Sequence, residues 1–188
     1  MKLKLVSFES TFTIILILVS FIGITLSTTI LPGFNETFFC AHGHKIDLGI
    51  ITHIFGHSSW KHFLNNVVFI AMIGPSVEDK YGTVYLMFMT LITSLITGIC
   101  TSIVGCNSYG MSTIVYMYVI LNTFQSDKGG IPFTSIILLL AYVLPEVIKV
   151  FSANDLIGHR EHVLGAICGL LFGIITKVLS KVLREETH

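Results

Sequence analysis

Gly110-Met111-Ser112-Thr113-Ile114-Val115-Tyr116 is the stretch on which the fold turns. It opens an apolar segment inside the longest uncharged span of the chain, for no Asp, Glu, Lys or Arg occurs between Tyr81 and Ser126. That span exceeds one bilayer crossing, which takes about 20 residues. It is broken midway by Gly105-Cys106-Asn107-Ser108-Tyr109-Gly110, a polar, Gly-flanked, turn-forming run. The pattern predicts two membrane helices joined by a loop that dips to lipid depth. Irregular backbone survives there only beside protein or a water-filled cavity. Ser112 then borders such a cavity and becomes a candidate for chemistry.

Composition sets the class. Hydrophobic residues make up 53% of the chain and charged residues 12%, with a mean hydropathy of +0.82. A soluble domain carries about 25% charged residues, so the expectation is an all-α polytopic membrane protein. The 188 residues leave room for roughly six crossings and short loops, in one domain. A formal net charge of zero offers no basic surface for nucleic acid. Cys40, Cys100, Cys106 and Cys168 lack metal or redox spacing and read as packing residues.

From the start, Lys2 and Lys4 precede an uncharged run from Ser10 to Asn35, longer than a secretory h-region and without an A-x-A-like exit. It is expected as a retained first helix, about 10–31, ended by Pro32-Gly33. The remaining helices are expected at about 62–77, 83–104, 110–124, 131–151 and 161–179. Residues 33–60 carry His42, His44, His53 and His57 and read as a large outer loop lying partly in the interface. Glu78–Gly82 reads as a turn, Gln125–Gly130 as a polar loop, and Lys181–His188 as a charged tail. Seven basic residues fall on the inner segments (Lys2, Lys4, Lys80, Lys128, Lys177, Lys181, Arg184) and four on the outer (Lys45, Lys61, Lys149, Arg160). The positive-inside rule then puts both termini in the cytoplasm.

Polar residues inside such helices are functional candidates. His62 and Asn66 are four apart on the second helix, and Ser112 and Tyr116 four apart on the fourth, so each pair shares a face. On the sixth, His162 is followed by Gly165, Gly169 and Gly173, a bare stripe that lets a neighbouring backbone approach. This would press the sixth helix onto the fourth and aim His162 at Ser112. A serine hydroxyl needs a base to become a nucleophile, and neutral imidazole suits that near pH 7. His62 and Asn66 could donate to the oxyanion. Neither the fourth nor the sixth helix supplies a carboxylate to complete a triad, apart from Glu161 at the boundary. The fifth helix reads as the most weakly anchored, for want of polar residues.

Taken together, these residues resemble the rhomboid intramembrane serine proteases. The resemblance runs from about Thr52 to Gly173: Thr52-His53-Ile54-Phe55-Gly56-His57 with His62-x-x-x-Asn66, then Gly74, Glu78 and Gly82, then Gly110-Met111-Ser112 with Tyr116, then His162-x-x-Gly165-x-x-x-Gly169. It implies a six-helix bundle that cleaves single-pass transmembrane proteins near the outer face. Ser112 would be the nucleophile and His162 the base. His62, Asn66 and the Ser112 N–H would form the oxyanion hole, and Tyr116 would pack on the histidine. The family usually has glycine where Thr113 stands, and the added bulk could loosen the contact between the fourth and sixth helices. An inactive relative that binds membrane segments without cutting them is the alternative. A metal or haem protein is disfavoured, since the histidines form no H-E-x-x-H motif and the helices are read as offering no carboxylate ligand. No cofactor and no metal are expected.

Overall fold

The computed structural model describes residues 10–125, 130–152 and 157–185. Within them the chain is helical, and the only extended pairing is a single bridge between Ala41 and Ser108. Helix α1 covers Thr11–Thr25 and continues through a wide π turn, Leu26–Ile30. The following loop holds the short helices α2 (Phe34–Phe38) and α3 (Gly49–Thr52). Then come α4 (Trp60–Tyr81), α5 (Thr83–Val104) and α6 (Ser112–Leu121), the last extended by one tight turn to Phe124. Helix α7 (Phe133–Leu138) leads through a π turn, Leu139–Val143, into α8 (Leu144–Ser152), and α9 covers Ile157–Glu185.

Among the described residues, four stretches are long and apolar enough to cross a bilayer: Thr11–Ile30, Thr83–Val104, Phe133–Phe151 and Gly158–Leu183. Their outward faces are apolar too, with Ile14, Phe21, Phe88, Ile137 and Ile175 all exposed. A water-soluble protein would not present so continuous an apolar surface. The chain is a multi-pass integral membrane protein.

Helix α6 is the axis. Every residue from Thr113 to Leu121 is buried, so it meets protein on all sides. Thirteen residues, Ser112–Phe124, rise about 20 Å, short of a bilayer core of about 30 Å. The 105–111 loop leads directly into its first turn. The glycine stripe of α9 makes the closest packing possible. A Cβ at Gly165 would overlap the carbonyl oxygen of Thr113, and one at Gly169 would lie 2.6 Å from that of Met117. Thr113 is accommodated rather than expelled, for its methyl fills the space over Gly165 and the side chain is buried.

Three boundaries differ from the sequence reading, each for a local reason. Helix α4 passes through Pro75 and includes Glu78, read above as part of a turn. Glu78 is buried because its carboxylate accepts hydrogen bonds of 2.8 Å from the Phe12 and Thr13 N–H groups and from the Thr13 and Thr83 hydroxyls. It thereby caps the amino end of α1, whose first N–H groups have no partner in their own helix. Helix α9 extends beyond 161–179 at both ends, its last turns carrying the charges assigned to the tail, with Lys181 3.7 Å from Glu185. The fifth helical segment is divided by the π turn, and Glu146, in the helix that follows, is buried. Of the remaining expectations, Lys2, Lys4, residues 126–129 of the polar loop and the last three residues of the tail lie outside the described residues.

The loop between α1 and α4 is tied down by its polar groups. The Asn35 amide donates to the His57 carbonyl at 2.7 Å, and Ser94 donates to the Ile51 carbonyl at 2.6 Å. Ile46 and Leu48 point outward, 84% and 78% exposed.

Candidate active site

The site is built where α6 begins. Gly110 has φ +149°, a conformation that side chains disfavour, and its N–H donates 2.9 Å to the carbonyl of His53. A Cβ at Gly110 would sit 2.8 Å from the His62 ring, so only glycine lets that imidazole lie against the loop. Helix α6 then starts. Ile114 and Val115 both donate to the Met111 carbonyl, which leaves the N–H groups of Ser112 and Thr113 outside the helical ladder. Ser112 occupies the first helical position, half-buried.

His162 stands opposite, one turn above the glycine stripe. Its Nε2 lies 2.9 Å from the Ser112 Oγ. Tyr116 stacks on the imidazole with ring centroids 4.4 Å apart and planes 21° from parallel, which limits rotation of the ring. Glu161, adjacent in sequence, turns away: its carboxylate accepts from Thr101 and Ser108, each at 2.5 Å. It joins α9 to α5 and to the 105–111 loop and takes no part in the Ser112–His162 contact.

The carboxylate comes instead from α8. Glu146 Oε2 lies 2.7 Å from His162 Nδ1 and 2.6 Å from His159 Nδ1, while Lys149 donates to Oε1 at 3.1 Å. Glu146 is buried at 6% exposure, and a buried carboxylate persists only when paired and hydrogen-bonded. Sequence reasoning missed it by searching the fourth and sixth helices alone. The signal was present, because Glu146 is the sole acid between Asp127 and Asp155, inside an apolar helix. The same residue overturns two further expectations. The fifth helical segment is not weakly anchored at this end, and a carboxylate ligand does exist within the helices.

Of the oxyanion candidates, His62 is at the site and Asn66 is engaged elsewhere. The His62 Nδ1 pairs with Ser58 Oγ at 3.1 Å, and the hydroxyl can donate to it, leaving Nε2–H on the side of Gly110. The Asn66 amide donates to His57 Nε2 at 3.2 Å. His57 and His53 are held neutral by burial, the first shifted down to about 3 and the second to about 4. The His53 Nδ1 lies 3.2 Å from the Gly49 carbonyl and its Nε2 3.2 Å from the Thr97 hydroxyl. His53 thus links α3, α5 and, through its own carbonyl, Gly110. His57, bonded to Asn66, likewise ties this loop to α4.

Comparison with known proteins gives the family. The family model described as Rhomboid domain matches residues 47–178. The chain is 28% identical over 141 residues to Rhomboid protease GlpG of Haemophilus influenzae, covering 70% of each protein. It is 30% identical over 126 residues to the Rhomboid protease GlpG of Yersinia pestis and to that of Yersinia pseudotuberculosis, covering 64% of this chain and 45% of each Yersinia protein. The chain therefore spans less than half the length of those Yersinia relatives. A family match over most of the chain, on a helical bundle with this site, makes the protein a member of the rhomboid family.

Proposed function

We propose that the protein is an intramembrane serine endopeptidase, a bundle of six crossings that hydrolyses peptide bonds of single-pass transmembrane substrates, with both termini cytoplasmic. The observation that carries this reading is the 2.9 Å approach of Ser112 Oγ to His162 Nε2, within the range a general base needs. Glu146 supports it. The carboxylate can only accept, so His162 Nδ1 keeps its proton and Nε2 presents a lone pair to the serine. The serine proton passes to Nε2 as Oγ attacks the scissile carbonyl. The imidazolium that forms is stabilised by Glu146 and held in plane by Tyr116. His162 then returns the proton to the leaving amine, and a water molecule, activated by the same nitrogen, releases the acyl group from Ser112.

The oxyanion would meet three aligned sources of positive potential: His62 Nε2–H, the free Ser112 N–H and the amino end of α6. Asn66 supports this arrangement from behind, through His57. A substrate helix hides its carbonyls in i→i−4 bonds, so segments weakened by Gly or Pro are the better substrates. Thr113 lies under Gly165, away from the Ser112 hydroxyl, which favours activity over an inert binding role. Ser112→Ala, reconstituted with a model transmembrane substrate, should retain its fold and lose cleavage; continued cleavage would defeat the assignment.

A further inference from the structure

We infer that Glu146, His159 and His162 form a site at which a divalent, imidazole-preferring cation such as Zn²⁺ switches the enzyme off. The inference rests on the protease reading above but adds a ligand to it. The three donor atoms, Oε2, His159 Nδ1 and His162 Nδ1, lie within 4.8 Å of one another. The two histidines are three apart on α9 and share a face. The carboxylate sits between them, 2.6 and 2.7 Å from the two nitrogens. Two imidazoles and one carboxylate, with a position left for water, are a donor set that binds zinc at about 2.0–2.2 Å. Lys149 holds the other carboxylate oxygen, which fixes Oε2 toward the histidines as outer partners of metal ligands do. Its positive charge weakens the site relative to a resident cofactor's, as reversible inhibition demands.

Tautomerism makes such binding inhibitory. A cation on His162 Nδ1 takes the lone pair there, and the ring proton relocates to Nε2, so no proton is gained or lost. Nε2–H then faces Ser112 Oγ across 2.9 Å and can donate but not accept. The serine loses its base while its position is unchanged.

The test uses the full chain in detergent and separates binding from turnover. Ser112→Ala, titrated with Co²⁺ as the probe, should show tetrahedral visible absorption saturating at about one equivalent per chain, displaced by Zn²⁺. The Ser112→Ala/His159→Gln double variant should lose that signal. In the active protein, free Zn²⁺ should abolish cleavage, with recovery on adding EDTA. His159→Gln should keep basal turnover within about twofold and need at least tenfold more Zn²⁺ for the same inhibition. No stoichiometric Co²⁺ spectrum, or equal binding and inhibition in His159→Gln, overturns the site. Because the Co²⁺ arm needs no catalysis, an inactive protein would contradict the protease reading and leave the metal site to be judged on its own spectrum.

Discussion

Glu146 Oε2 lies 2.7 Å from His162 Nδ1, and the two residues come from different helices, α8 and α9. The contact gives a serine–histidine pair a third, acidic partner and fixes which imidazole nitrogen is free to act as base. It also means that any movement of α8 away from α9 would change the tautomer preference of His162.

Replacing Glu146 with Gln should lower kcat by roughly 10²-fold, a typical contribution of a correctly poised general base, while KM for a transmembrane substrate changes little. Glu146→Asp, which keeps the acceptor, should recover part of that loss. A parallel change in KM and unfolding midpoint without an effect on kcat would mark Glu146 as merely structural. Kinetics in micelles, alongside thermal unfolding, distinguish the two.

Glu78 binds four donors at the start of α1 and at Thr83. Glu78→Ala leaves two main-chain N–H groups and two hydroxyls unpaired in a dry environment. The expected destabilisation is about 3 kcal/mol, the cost of removing charge-assisted bonds from buried donors. Equilibrium unfolding in mixed micelles would read it, and the surviving folded fraction should keep its specific activity, since Glu78 does not touch the site.

The α6–α9 seam gives a matched pair of substitutions. Gly165→Ala places a methyl against the Thr113 carbonyl and should cost about 1–3 kcal/mol, as overpacking does. Thr113→Val should act oppositely. The buried Thr113 hydroxyl has no hydrogen-bond partner, because the residue lies in the first turn of α6 and has no helical carbonyl four positions back. Removing it should raise the unfolding midpoint. A lower midpoint for Thr113→Val would contradict this description of the seam.

The histidines of the loop between α1 and α4 give stability a pH dependence. His53 and His57 have folded values of about 4 and about 3, below the ordinary 6.5. The unfolded chain therefore binds more protons between those limits, and stability falls as pH falls. Unfolding midpoints should be flat above pH 6.5 and drop steadily toward pH 4, with the slope reduced in His53→Asn. A midpoint that rises on acidification would contradict the burial of neutral imidazoles.

Much of this architecture was legible in one dimension. The uncharged run from Tyr81 to Ser126 with its polar interruption marked α5, the 105–111 loop and α6, because backbone in lipid must be helical or sheltered. Gly165 and Gly169, at intervals of four, marked the face of α9 that meets α6. What stayed hidden depended on tertiary packing. Glu78 looked like part of a solvated turn because its partners, Phe12 and Thr13, are more than sixty residues away. Glu146 was visible as a lone acid in an apolar helix, but its pairing with His162 joins two separate helices. Asn66 shares a helical face with His62, yet its amide goes to His57, a choice made by the fold of the loop rather than by spacing.

The central claim is that Ser112 is a nucleophile activated by His162. The most direct measurement is labelling of the purified protein with a serine-reactive fluorophosphonate, with the modified peptide identified by mass spectrometry. The account predicts modification at Ser112, lost in His162→Ala while the unfolding profile is retained. Label on another residue, or undiminished label on Ser112 in His162→Ala, would contradict it.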